Sequence, residues 1–494
     1  MASANPEPVS PGPGVGALKA RAGRATAWTL IGYGGSQLLR LASNLLLTRL
    51  LLAEHFGLMA LVNIFVMGLQ LFSDVGIGPA IIQSKRGDDP AVLNTAWTIG
   101  VLRGFALWMI GCALATPFAN FYQAKELAYL IPVVSLNAVF MGFSSSKTFT
   151  QNRNLALGRV VSIDLASQLM AAIVMIVWAL LTHSVWALAA GAMVRAFVQS
   201  VLTHAVLPGV RNRFHWDSEV ARGLFSFGRW VFISTALTFI TGQADRLVFG
   251  RLVSMADLGV YSVAALLASA PAAVLSQLNR TIVFPIYSRA HQAGDNLGAI
   301  YNSARRPLLI MSGWALSALV VCGPSLVQVL YRSSYWDAGW MIQLLAAGIW
   351  FGVVLEGTNG YALLAQGLSK WTAAGSFAKV VGLCVFLPAG YSLGGFPGAL
   401  VGLAASEICR YFVSIYAARK RQLHGIRQDL KATAMIVLAT AGGSLVTWGL
   451  RKAHAPALLE AAASFAVVTA VWSPLLVPYA RTYLARPRPV GTVT

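Results

Sequence analysis

The stretch AWTLIGYGGSQLLRLASNLLLTRLLL, Ala27–Leu52, decides how this chain is read. A bilayer core of about 30 Å is crossed by roughly 20 apolar residues in a helix, and this run is long enough. It nevertheless holds Gln37, Arg40, Asn44 and Arg49 among its leucines. A charged group at the bilayer centre costs about 2.5–3.5 kcal/mol on insertion scales, so Arg40 needs a wet or protein-lined surrounding. Tyr33, Gln37, Arg40, Asn44 and Thr48 follow one another at intervals of three or four. That spacing sets them along one stripe of a helix, with Leu, Ile and Ala elsewhere. One polar stripe on a helix otherwise suited to lipid is the pattern of a cavity wall.

The rest of the chain has the same character. It is 57% hydrophobic and 11% charged over 494 residues, against about 25% charged in soluble domains, and its mean hydropathy is +0.66. These values assign an integral membrane protein. Apolar runs recur about fourteen times, from 27–52 to 459–480, with short connections and no inserted soluble domain. The expected architecture is all-α, with about fourteen transmembrane helices. Residues 1–24, rich in Pro and Gly, read as a disordered tail. The first apolar run is too long for a signal peptide and lacks a small-residue cleavage site, so it reads as a retained span. Cys112, Cys322, Cys384 and Cys409 are scattered through apolar runs, as small buried hydrophobes rather than disulfides or metal ligands.

The net charge of +20 would suit nucleic acid if it were gathered in one basic domain. It is dispersed between spans, so no nucleic-acid partner is expected. With the N-terminus inside and the loops alternating, about 23 of the 37 Lys and Arg fall on one face, among them Lys147, Arg305, Arg306 and Lys431, and about five on the other. That bias fits the positive-inside rule with both termini cytoplasmic. About nine bases remain within spans: Arg40, Arg49, Arg103, Arg195, Arg229, Arg246, Arg280, Lys379 and Arg410. Five acids accompany them: Asp74, Asp164, Asp245, Glu356 and Glu407. Arg229, Lys379 and Arg410 lie where side chains snorkel to headgroups. Arg40, Arg103 and Arg195 lie deeper and point to an anionic cargo or to ion pairs inside the bundle. Asp245 and Arg246 are adjacent, so a helix turns them about 100° apart and they need not pair. The thirteenth and fourteenth runs are nearly free of polar residues.

An internal repeat organises the spans. TRLLLAEHFGL at Thr48–Leu58 matches GRLVSMADLGV at Gly250–Val260, with Arg49 to Arg251 and Gly57 to Gly259 both offset by 202 residues. Six spans lie between the copies, so both run the same way. The expectation is two six-helix lobes in parallel pseudo-symmetry, of the kind that carries substrate between lobes near the midplane. The lobes would be 25–215 and 216–425, with 426–494 holding two additional helices and a cytoplasmic tail.

Four segments carry a family resemblance: Ser36–Val62, FSDVGIGPAIIQ at Phe72–Gln83, ADRLVFGRLVSMADLGVYSVA at Ala244–Ala264, and LNRTIVFPIYSR at Leu278–Arg289. In these the chain resembles the polysaccharide flippases of the multidrug/oligosaccharidyl-lipid/polysaccharide exporter superfamily, and most of all the succinoglycan- and colanic-acid-type branch. The resemblance implies transport of undecaprenyl-pyrophosphate-linked oligosaccharide repeat units across a bacterial inner membrane, by alternating access around an Arg-lined cavity. It implies membrane lipids, a polysaccharide polymerase and chain-length or export proteins as partners. The related lipid II flippase carries arginines on its first, second and eighth spans; Arg40, Arg49 and Arg280 match that placement, while the second span here has Asp74 instead. The substrate-binding set is thus Gln37, Arg40, Asn44, Arg49, Arg103, Arg246, Gln277 and Arg280. Asp74, Asp245 and Glu356 are candidates for charge balance or for a coupling ion such as Na+ or H+. No other cofactor is expected.

The alternatives are a lipid II flippase, a multidrug or cation antiporter of the same superfamily, and a membrane glycosyltransferase. A multidrug exporter calls for an acid-rich cavity, and glycosyl chemistry for clustered carboxylates. A Walker A motif is missing from the sequence, which excludes direct use of ATP by that route. The expected class is a transporter, not an enzyme.

Overall fold

The computed structural model describes residues 15–73, 76–84, 86–294 and 296–484. Among them every regular element is helical. The first unit, residues 1–51 and 62–236, contains α1 (Val15–Leu50), most of α2 (Ala53–Phe72), α3 (Ile77–Gln83), α4 (Pro90–Tyr122), α5 (Leu127–Ser135), α6 (Asn137–Phe143), α7 (Lys147–Arg153), α8 (Leu157–Thr182), α9 (Trp186–Val206) and the start of α10 (Ser218–Leu252). The second unit, residues 52–61 and 237–494, takes the start of α2, the rest of α10, and α11 (Met255–Leu278), α12 (Phe284–Ala293), α13 (Leu297–Leu330), α14 (Ala338–Ile349), α15 (Glu356–Ala365), α16 (Ser369–Lys420), α17 (Ile426–Lys452) and α18 (Ala457–Leu484).

Helix starts follow from side-chain chemistry. Asp89 caps α4 by accepting from the Ala91 backbone at 2.9 Å, with Pro90 in the first turn, where its missing N–H costs nothing. Ser254 caps α11 by accepting from the Asp257 backbone N–H at 3.0 Å, and its hydroxyl donates to the Asp257 carboxylate at 2.7 Å. α1 already begins at Val15, within the stretch expected as a tail; the run ALKARA is rich in strong helix formers. The four prolines expected to keep the tail disordered lie before residue 15, outside the described residues.

Among the described residues ten helices are long and apolar enough to cross a membrane, and Leu127–Phe143 with Lys147–Arg153 adds a pair bent by 63°. This is a multi-pass membrane protein. α1 and α10 are not among the ten. In α1 the polar residues Gln37, Arg40 and Asn44 dilute the apolar run. α16 is two helices joined at a kink, with non-helical torsions at Gly394 and Gly395. Single π-helical turns interrupt two further spans, at Asn279–Val283 and Trp350–Leu355.

The repeat seen in the sequence recurs in the chain's geometry. α1 ends at Leu50 and α10 at Leu252; α2 begins at Ala53 and α11 at Met255, each pair again 202 apart. Within the second unit the two copies touch reciprocally. A Cβ on Gly57 would lie 1.9 Å from the Met255 carbonyl oxygen, and one on Gly259 would lie 1.8 Å from that of Ala53. The offset that converts Gly57 into Gly259 also converts Ala53 into Met255.

α8 packs on α1 and α9, α4 on α5 and α6, and α13 on α14, α17 and α18. The last two helices are not the featureless pair expected. Glu460 accepts from Ser325 at 2.9 Å and pairs with Arg451 at 3.1 Å. The Trp472 indole, wholly buried, donates to Ser317 at 3.3 Å, and Thr469 accepts from Trp314 at 3.2 Å. Their few polar groups face α13 and tie these helices to the unit.

Candidate functional site

In the first unit the α1 stripe forms in part. Arg40 is exposed and donates to the Gln37 amide oxygen at 2.7 Å. The Gln37 nitrogen and the Tyr33 hydroxyl are buried with no partner among the described residues. Asn44 is half-buried and Arg49 exposed. Thr48 is the exception: it is wholly buried and bonds back to the Leu45 carbonyl at 3.1 Å, so the stripe ends before it. On another face of α1, Ser36 bonds Gln168 of α8 at 2.7 Å. Asp164 of α8 is held by Arg195 of α9 at 3.0 Å, the internal ion-pair outcome.

Arg103, at mid-height in α4, donates to the Ser73 hydroxyl at 2.9 Å and to the Gln70 carbonyl at 2.5 Å. Gln70 lies in the last turn of α2, whose carbonyls lack helical partners, and Ser73 directly follows that helix. Arg103 therefore closes the end of that helix, a role its position alone did not reveal. Asp74 lies outside the described residues, as does the Arg229 side chain.

In the second unit Arg246 donates to the Gln243 amide at 2.9 Å, while Asp245 accepts from the Tyr261 hydroxyl. The adjacent charges thus turn to different partners, as their helical offset requires. Gln277 is half-buried at the end of α11 and Arg280 is exposed in the π-turn that follows.

Two charged clusters in this unit correct the sequence reading. Lys379 and Arg410 do not snorkel. Lys379 pairs with Glu407 at 2.5 Å and Arg410 with Glu356 at 3.0 Å, so α15 and the two limbs of α16 share a neutral tetrad. Glu356 is thereby occupied by a guanidinium. Arg305, expected in a cytoplasmic loop, is 0% exposed inside α13. It pairs with Asp429 of α17 at 2.5 Å and donates to Thr358 at 2.8 Å; Tyr411 donates to the same carboxylate at 2.8 Å. Tyr301 bonds Asn359 beside it and lies under the guanidinium, 5.1 Å from ring centroid to Cζ. Lys147, also placed in a loop, is buried against the His204 carbonyl at 3.1 Å.

Sorted by partner, five of the bases within spans fall into two groups. Arg195, Lys379 and Arg410 are neutralised by carboxylates. Arg40 and Arg246 are held by neutral glutamines, which orient a guanidinium without cancelling its charge. Such a guanidinium remains able to bind phosphate or carboxylate in forked geometry.

The family model for polysaccharide biosynthesis protein matches residues 46–340. The chain belongs to that family. A succinoglycan biosynthesis transport protein, ExoT of Rhizobium meliloti (strain 1021), is 25% identical over 331 residues, 66% of this chain and 65% of its own length. The teichuronic acid biosynthesis protein TuaB of Bacillus subtilis (strain 168) is 20% identical over 304 residues, 60% of this chain and 62% of its own. The chain thus spans a little under two thirds of these relatives. Among solved structures, the lipid II flippase MurJ in an inward closed conformation has TM-score 0.70 at 12% identity, over 92% of this chain and all of that one. At that identity the likeness shows a shared transporter fold.

Proposed function

We propose that the protein is a flippase for undecaprenyl-pyrophosphate-linked oligosaccharide repeat units, moving them from the cytoplasmic to the outer leaflet of a bacterial inner membrane. The observation that carries this reading is Arg40: a guanidinium in an apolar helix, exposed, oriented by Gln37 and paired with no carboxylate among the described residues. A pyrophosphate needs such a donor, because arginine stays charged in a low-dielectric cavity. Arg246 and Arg280 extend the cationic set, and Gln37, Asn44 and Gln277 supply amides for sugar hydroxyls. Family membership supports a polysaccharide precursor as cargo.

In this reading fourteen spans carry the protein through the membrane with both termini cytoplasmic, and the repeats alternate access to an Arg-lined cavity. Asp245 is preferred to Glu356 for coupling to Na+ or H+, since Glu356 is tied to Arg410 whereas Asp245 accepts from a neutral tyrosine. A cavity of about 330 Å3 bounded by α13, α17 and α18 has Arg306 and Lys431 together with Leu309, Met435 and Leu475 on its walls. Cations beside an apolar groove suit a polyprenyl chain with its phosphates.

The test is complementation. In a strain lacking the gene, Arg40→Ala inserts at the wild-type level and restores no surface polymer. Normal polymer from that variant sinks the proposal, and rescue of a strain depleted of its lipid II flippase reassigns the cargo.

A further inference from the structure

The first unit contains a polar cavity away from the α1 stripe. It measures about 440 Å3 and is bounded by α2, α3, α4, α6, α7 and α9, within the range of about 300–1,000 Å3 typical of small-molecule sites. Arg103 and Trp97 lie on its α4 wall, separated by about 9 Å along the helix. Gln70, Ser144, Thr148 and Gln199 face it from the other elements.

The chemistry of this lining is selective. Thr148 has a buried hydroxyl oxygen with no partner among the described residues. Buried polar groups are satisfied as a rule, so an orphan on a cavity wall calls for a ligand or water. The amide nitrogen of Gln70 contacts the Met141 sulfur at 3.7 Å, a weak acceptor. Hydroxyls and amides offer donors and acceptors together, which an acyl chain cannot use. Arg103 adds one positive charge, but Ser73 and the Gln70 carbonyl already take two of its donors, so the site is no dedicated anion hole. Paired donors and acceptors, an aromatic wall and, among the described residues, a single tethered cation match a pyranose ring.

We propose that this cavity is a sugar subsite that takes the terminal monosaccharide of the lipid-linked oligosaccharide. The identity of that sugar rests on the flippase reading; the capacity of the cavity to bind a pyranose does not. The volume excludes the whole cargo and accommodates its end. Repeats that end in different sugars would then be sorted here, away from the arginines that grip the pyrophosphate.

The experiment uses full-length protein in nanodiscs and the water-soluble oligosaccharide released by mild acid from the host's own lipid-linked repeat. Calorimetry is expected to give binding that falls about tenfold for each lost hydrogen bond in Gln199→Leu and Thr148→Val, with Gln199→Asn restoring most of it. Gln199 is half-buried, so its variant keeps the test open if the threonine variant fails to fold. A free monosaccharide matching the terminal residue should compete; competition by the reducing-end sugar alone overturns the terminal assignment. Unchanged oligosaccharide affinity in both folded variants overturns the subsite, and export by the Arg40 variants still judges the flippase reading. Normal polymer from the gene deletion overturns the flippase reading, and the calorimetry then judges only pyranose binding.

Discussion

Gly57 and Gly259 give the sharpest test of the repeat. Alanine at position 57 places a methyl carbon 1.9 Å from the Met255 oxygen, and alanine at 259 places one 1.8 Å from that of Ala53. An ordinary carbon–oxygen contact is about 3.3 Å, so α2 and α11 must part by roughly 1.4–1.5 Å at the crossing. Overpacking of that size costs about 1–3 kcal/mol for either substitution. The two clashes are relieved by the same displacement. Once the first alanine has moved the helices apart, the second meets little resistance, and the double variant should cost at least about 1 kcal/mol less than the sum of the singles. Gly34→Ala is the control: its Cβ would meet nothing within 4 Å, and a helical glycine replaced by alanine gains up to about 1 kcal/mol. Thermal unfolding of detergent-purified protein, followed by monodisperse size-exclusion signal, reads all four. Strict additivity, or a Gly57→Ala variant as stable as the control, refutes the reciprocal crossing.

Three further outcomes follow from individual contacts. Asp429→Asn or Arg305→Met leaves a buried charge unpaired and should cost about 3–5 kcal/mol, seen as a large drop in thermal midpoint; replacing both with apolar residues should recover much of it. Gly395 sits at φ 59, ψ −144, a region essentially reserved for glycine, so Gly395→Ala should cost about 1–3 kcal/mol and appear as faster hydrogen exchange around the α16 kink. Asp89 lies in a loop, and its hydrogen bond from Arg86, followed by that from the Ala91 backbone, holds its carboxyl below the usual range. A lowered folded pKa means that the cap contributes above the unfolded value and is lost as pH falls through the lowered one, so Asp89→Ala should fray the first turn of α4 at neutral pH, and hydrogen exchange there should converge with wild type only in strong acid.

Local pattern carried much of the fold. Apolar runs gave the all-helical, multi-pass character, and the 202-residue offset marked the paired helix ends. Partnership was not legible, because it depends on residues far apart in sequence. Arg305 and Asp429 are 124 positions apart (429 − 305) and meet only when α13 and α17 pack. Next to Arg306 and before Pro307, Arg305 reads as loop; yet α13 has 34 residues, more than a bilayer requires, and its extra turns carry that arginine into the core. The same blindness made Lys379 and Arg410 look like snorkelling residues, although each has a carboxylate at hand in the folded unit. Thr48 has the helical phase of the polar stripe but is wholly buried, although Leu46 and Arg49 on either side of it are exposed.

Partner identity also narrows what the deep arginines can do. Burying a charge is expensive, and pairing it with a carboxylate lowers the cost while spending the charge. Arg305, Arg410 and Lys379 were spent this way, and their clusters are neutral knots within the second unit. Arg40 took the other course. Its glutamine supplies geometry but no opposite charge, so the guanidinium keeps its charge available for the anionic cargo proposed above. A protein selected for stability alone would place an acid at position 37. The amide there orients the cation with no carboxylate partner among the described residues, which is the state that the proposed pyrophosphate-bearing cargo would require on arrival and would have to leave on release.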